Sequence, residues 1–361
     1  MGAVDSPTDM ELRAGAELFA GAKVRAHAAA REGAEVRDGA EVRDGADVRD
    51  GADVRDGAGA RGLEQRLERL APGHPSSPDY ADGGGSADQV RPLTDAEHAE
   101  HVTEVRGRLE AASTGGMAND VLHTVDPRQE VWSRDRRAIH DAIVEELYAV
   151  ASDVPCERRA IVAGGLPGAG KTTVLEQYAD IESGQYLTIN PDVIKLVLAK
   201  RDLLPRIGGL SPMEASVLAH EETSHIAKRL AHRAQSDGKN IIWDVTMSSS
   251  ASTEKRINSL RDCGYTRIDG LFVDIPVDVS LRRVDARHRE AHDEYRDGRG
   301  LGGRFVPRET ILQYADREWG SQNRRNFERL KASFDSWSRY DNSVDGRDPQ
   351  LVESRSSTDD L

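Results

Sequence analysis

The chain has little cysteine: Cys156 and Cys263 are the only two in 361 residues. They lack metal-ligand spacing, so neither a disulfide framework nor a cysteine metal site is expected, and the usage fits a reducing compartment. Long apolar runs are missing too, which excludes a helical membrane span. No basic-then-apolar pattern opens the chain, so a cytoplasmic protein is the expectation. Aromatics are scarce at 5%. A basic balance is also absent. Forty-nine Lys and Arg stand against 63 Asp and Glu, a net charge of −14, so there is no general attraction to nucleic acid or to an anionic membrane.

Order is unevenly distributed. Residues 33–56 read Gly-Ala-Glu-Val-Arg-Asp twice and then Gly-Ala-Asp-Val-Arg-Asp twice. One Val per repeat leaves little apolar surface to bury, and a Gly in every repeat costs a helix about 1 kcal/mol. With the Pro/Ser/Gly-rich stretch 72–92, residues 1–92 are expected to be a disordered arm and linker. Residues 93–153 read as a helical extension. Thr94 and Glu97 have capping-box spacing, and Ile139, Ile143, Val144, Leu147 and Val150 recur at helical steps. The extension should pack on the core; in a sharper reading it covers the nucleotide site as a built-in inhibitor. Residues 154–340 form the main domain, and 341–361 are expected to be a disordered tail.

In that domain strands alternate with helices: strands near 159–163, 186–189, 239–244 and 270–275, and helices near 173–179, 191–201, 211–236 and 252–263. This predicts an α/β fold, a parallel sheet flanked by helices with ligands at the strand carboxyl ends. Between the first strand and its helix lies Gly165-Leu166-Pro167-Gly168-Ala169-Gly170-Lys171-Thr172. It fits G-x-x-x-x-G-K-[ST], the P-loop of nucleotide-binding proteins. Its backbone N–H groups, with the positive helix end running through Thr173, suit a triphosphate. Lys171 would reach the β- and γ-phosphates, and the Thr172 hydroxyl would ligate Mg²⁺.

Phosphoryl transfer needs an acceptor base and extra positive charge as well. Asp192 follows a strand end, behind Asn190-Pro191, an N-cap with proline at the first helical position. Asp244 and Thr246 end another strand. Glu221 lies beside the apolar stripe of its helix, whereas Glu222 reads as the more solvated. Seven arginines crowd residues 282–304; with four nearby glycines they suggest a lid.

The order of these motifs, from about 159 to 307, resembles the zeta-toxin family. That resemblance implies an ATP- and Mg²⁺-dependent kinase of UDP-N-acetylglucosamine, a toxin normally restrained by an antitoxin. It implies that Asp192 in Asn190-Pro-Asp-Val-Ile-Lys195 is the base and that Asp244-Val-Thr246 binds the acceptor. It places the lid arginines at Arg287, counted from Pro276, and Arg304. Glu221 or Glu222 would also bind acceptor, the helix being about one turn longer than the pattern. Asp244 stands where Glu is usual, and Ser248 where Arg is expected. The wording of 210–222 is similar to members from high-GC bacteria. The motifs read without the resemblance also allow a kinase of another metabolite or a nucleic-acid end, or a non-catalytic nucleotide-binding module.

Overall fold

The computed structural model describes residues 91–126, 131–179, 181 and 184–356. The hexapeptide repeat and nearly all of the linker lie outside these. The central sheet has strand order β10-β9-β6-β3-β5-β4. Its strands are β3 (Arg159–Gly164), β4 (Leu187–Ile189), β5 (Ile241–Asp244), β6 (Arg267–Asp274), β9 (Ser336–Asp341) and β10 (Gln350–Arg355). All pairs are parallel except β9–β10. Two small hairpins lie apart from it: β1 (Thr124–Asp126) with β2 (Val131–Trp132), and β7 (Ala315–Asp316) with β8 (Gly320–Ser321).

Eleven α-helices are described: α1 (Asp95–Thr114), α2 (Asn119–His123), α3 (Arg134–Val150), α4 (Lys171–Gln177), α5 (Pro191–Lys200), α6 (Pro212–Ala215), α7 (His220–Ser236), α8 (Ser250–Asp262), α9 (Val277–Arg296), α10 (Arg308–Leu312) and α11 (Gln322–Leu330). Side chains of β3 alternate between the two faces of the sheet. Ala160 and Val162 join a core made with α3, α5, α7, α8 and α11; Ile161 and Ala163 join a smaller one made with α4 and the start of α9. No helix among the described residues is long and apolar enough to cross a membrane.

Three points refine the expectations. First, part of the extension packs on the core across the boundary at 153/154. Ile143, Val144 and Leu147 of α3 are buried in the same cluster as β3 and β5, so this helix completes the sheet's core. Only α1 forms a separate cluster, where Val105, Leu109 and Ala112 meet Leu210, Leu218 and Phe305. Second, the helix expected over 211–236 is broken: α6 is followed by a 3₁₀ turn at Ser216–Ala219 before α7 begins. Third, the tail expected from 341 is ordered through 356, because β10 pairs with β9 along its backbone and Glu353 bonds Lys331 and Arg339. An edge strand of this kind needs backbone partners more than a buried face, and β10 is largely exposed, which hides it from an apolar-pattern search.

Candidate active site

The phosphate loop, residues 165–172, leaves β3 at the centre of the sheet. Gly165 has φ +149°, and a Cβ there would stand 2.5 Å from the Val273 carbonyl oxygen. Gly168 has φ +76°, with its Cβ position 3.2 Å from that of Arg283. Leu166 and Ala169 are buried and anchor the loop below. Three successive carbonyls are tied from outside. Ser280 Oγ donates to Pro167 O at 2.6 Å, Arg283 Nη1 to Gly168 O at 3.2 Å, and Asn342 Nδ2 to Ala169 O at 2.8 Å. In a trans peptide the next N–H points the opposite way, so these bonds turn the N–H groups of Gly168 and Gly170 to the loop's other side. The Ala169 N–H is used within the loop, on Leu166 O at 3.1 Å. Thr172 and Thr173, partly buried, lie in the first turn of α4 at the loop's end. The α9 and β9 partners were not recognised from sequence, and Asn342 falls in the segment expected to be tail.

Lys171 is 1% exposed. Its Nζ lies 3.7 Å from Asp244 Oδ1 and donates to Gly165 O at 3.4 Å. The other Asp244 oxygen accepts from Asn190 Nδ2 at 3.0 Å. Asn190 Oδ1 in turn caps α5 by accepting the Asp192 N–H at 2.8 Å. Asn190 therefore links the two strand-end carboxylates, beyond the capping role read from sequence.

Asp192 is fully buried and touches two cations, Lys195 Nζ at 2.9 Å and the Arg304 guanidinium. Burial pushes its pKa up, but Arg304 and Lys195 outweigh burial and hold the carboxyl below its ordinary value. Arg287 is pressed down to about 9 by burial and by the neighbouring Arg304. Arg287 and Arg304 thus share one local field, which favours an anion between them. Two of the four glycines in the arginine-rich segment are packed: a Cβ on Gly302 would meet Ser211 Oγ at 2.1 Å, and one on Gly303 would meet His288 O at 2.5 Å, whereas Gly298 and Gly300 have room around them.

The segment after β5 is held from α11. Asn323 Nδ2 donates to Thr246 O at 2.8 Å, and Asn326 Nδ2 to Met247 O at 2.9 Å. Gln322 Nε2 donates to Ser248 O at 2.8 Å. These bonds fasten Met247 at φ 58°, a conformation rare for a side chain of its type. The Thr246 hydroxyl accepts the Ser248 N–H at 3.3 Å. Asn323 and Asn326 gave only a weak signal in sequence, two amides three apart on the helix face that carries Phe327.

Glu221 and Glu222 separate. Glu221 is exposed at the start of α7 and lines a cavity with Pro191, Ser224, Lys228, Trp243 and Arg256. Pro191 places that cavity next to Asp192 in the chain. Glu222 is fully buried and faces away, reversing the expectation that it is the solvated one. It takes Arg136 Nη2 at 2.8 Å together with Arg136 Nε, His140 Nε2 at 2.7 Å and Asn119 Nδ2 at 2.5 Å. Its work is to pin α2 and α3 to α7.

The α1 helix and the residues before it contact α9 and the segment after it. Arg289 pairs with Asp95, the Leu93 N–H donates to Asp293 at 3.2 Å, and Phe305 packs on α1 beside Arg304.

Among curated proteins none matches the chain. The solved complex AvrRxo1-ORF1:AvrRxo1-ORF2 with sulphate ions is similar at 20% identity and TM-score 0.49, over 63% of this chain and 69% of that one. A structure of the same pair with ATP gives 18% and 0.49 over the same shares. The PezAT chromosomal toxin-antitoxin system of Streptococcus pneumoniae gives 17% and 0.42, over 61% of this chain and 84% of that one. The sequence pattern of the zeta toxin family matches residues 149–336, just over half of the chain and spanning the sheet from β3 to the first residue of β9. The chain belongs to the zeta toxin family.

Proposed function

We propose that the chain is an ATP-dependent phosphotransferase. It moves the γ-phosphoryl group to a hydroxyl of a small-molecule acceptor, UDP-N-acetylglucosamine or a related sugar nucleotide, and acts as a toxin restrained by an antitoxin. The observation that carries the reading is the convergence of Lys171, Asp192, Asp244 and Arg304 beside a braced phosphate loop.

In this reading residues 165–173 hold the triphosphate. Thr172 and Asp244 offer the oxygen donors that Mg²⁺ prefers. When bound, the ion offsets charge on the β- and γ-phosphates. Lys171, Arg287 and Arg304 surround the transferring group, and Glu221, Asp244 and Thr246 hold the acceptor. Asp192 orients the acceptor hydroxyl and takes its proton as the new O–P bond forms. The bond from the γ-phosphorus to the bridging oxygen breaks, and ADP leaves. A phosphoryl group competes with Asp192 for Arg304, and this partial release leaves the carboxylate able to accept the proton.

The test uses labelled ATP with UDP-N-acetylglucosamine and with separate pools of other acceptors. Asp192→Asn should lower transfer by about 10²–10⁴-fold, the usual worth of a general base, while ATP affinity stays within a few-fold. Lys171→Ala should lose both transfer and growth arrest. Turnover by purified Asp192→Asn at the parent rate removes Asp192 as base. Label entering another acceptor pool instead moves the substrate assignment there.

A further inference from the structure

Away from the phosphate loop, two helices bring three histidines to one carboxylate on a third. Glu214 of α6 is fully buried. Its Oε2 is occupied, accepting the Ser211 N–H at 2.7 Å and the Ser211 Oγ–H at 2.8 Å. Its Oε1 faces His101 Nε2 of α1 at 2.6 Å, and His288 Nε2 and His292 Nδ1 of α9 at 3.1 and 3.3 Å. A carboxylate oxygen offers about two lone-pair sites; His101 and His288 occupy them, and the buried His292 Nδ1 aimed at the same oxygen is left without a hydrogen bond.

A cation at the centre reverses the arrangement, because the three nitrogens and the oxygen can then all give lone pairs. The ligand atoms of His101, Glu214 and His292 lie within 4.8 Å of one another. Around a tetrahedral ion with bonds of about 2.1 Å, donors sit roughly 3.4 Å apart, close to the spacings from Glu214 Oε1. His288 and His292 are one helical turn apart and share a face of α9. The surroundings are already ordered for ligation. Ser211 fixes the carboxylate, and His98 Nε2 stands 3.0 Å from His288 Nδ1, which turns His288 Nε2 toward Glu214. A donor set of mostly imidazole suits a transition ion and not Mg²⁺ or Ca²⁺, which take oxygens.

We propose that His101, Glu214, His288 and His292 form a structural site for a divalent transition metal of the Zn²⁺ class, fastening α1 to the helix that carries Arg287. His98 is a positioning residue. The site stands apart from the transfer chemistry, and its test does not depend on turnover.

The full chain is stripped with chelator and titrated with Zn²⁺ and with Co²⁺. One tight equivalent is expected, with the visible bands of four-coordinate Co²⁺ and a chelator-reversible rise in melting temperature. The double variant His101→Ala/His292→Ala should lose the equivalent. His98→Gln should weaken it by about 10–100-fold, as loss of an outer-shell partner does. His232→Ala, at an exposed position of α7, and His27→Ala/His74→Ala, in the N-terminal arm, should retain it. A folded parent chain that binds no equivalent overturns the site, as does undiminished binding by the double variant. If the double variant does not fold, single His101→Gln decides: a Zn²⁺-induced rise in melting temperature equal to the parent's overturns the proposal.

Discussion

Glu221 and Glu222 are neighbours in sequence with opposite surroundings, and the pair gives a sharp stability experiment. Glu222→Ala removes the carboxylate that Arg136, His140 and Asn119 share, leaving a buried guanidinium without its counter-charge. Breaking a buried ion pair from one side costs about 3–5 kcal/mol. An independent route gives a similar size. Burial pushes the Glu222 carboxyl up, but its bonds from Arg136, His140 and Asn119 bring it down from 4.5 to about 2. A lowering of that extent is worth about 3 kcal/mol at neutral pH. For a domain of this size the loss should lower the melting temperature by roughly 6–20 °C. The sign with pH follows from the lowered value: the contribution is complete above 4.5 and fades as pH falls toward 2. The stability gap between parent and Glu222→Ala should therefore be widest at neutral pH and narrow below 4.5. Glu221→Ala, at an exposed position, should stay within about 0.5 kcal/mol of the parent. Denaturant unfolding of the three proteins at several pH values is the assay. A gap below about 1 kcal/mol at pH 7, or one that stays constant into acid, would refute the assignment of Glu222 as the clamp on α2 and α3.

Three further outcomes are expected. Gly165→Ala puts a methyl group 2.5 Å from the Val273 carbonyl and should destabilise by at least about 1–3 kcal/mol, read by thermal melting. Asn326→Ala removes the donor to Met247 O and Ser248 O and should cost about 1–3 kcal/mol while weakening the acceptor more than ATP, read by separate KM values. A chain beginning at residue 154 loses α3, uncovers the partners of Ile143, Val144 and Leu147, and should be aggregated; a soluble protein with a cooperative melt would contradict the place of α3 in the core.

Much of this architecture was legible in the sequence because its signals are local. The four strands expected from apolar runs are present, as are the phosphate loop between β3 and α4, the Asn190 and Ser211 caps, and the helix face of α3. What was missed depends on distant partners. Glu222 looked solvated because the stripe of α7 was judged alone, whereas α2 and α3 supply a second buried face. Ser280, Arg283 and Asn342 carry no motif, and their role exists only because the sheet sets α9 and the end of β9 against the loop. The break between α6 and α7 escaped notice because Ser216–Ala219 has no proline or glycine. β10 was invisible to periodicity because five of its six residues are exposed.

Helix α9 does two things at different points along its length. Ser280 and Arg283 grip the phosphate loop, and Arg287 stands on the same stripe, seven and four residues farther on. The helix is thus a ruler: seven residues at 1.5 Å each set about 10 Å between the loop and Arg287. Its tolerance is narrow, since one inserted residue would swing Arg287 by about 100° around the axis while leaving the loop in place. Length changes between 280 and 287 should therefore be rejected even where single side chains can be exchanged.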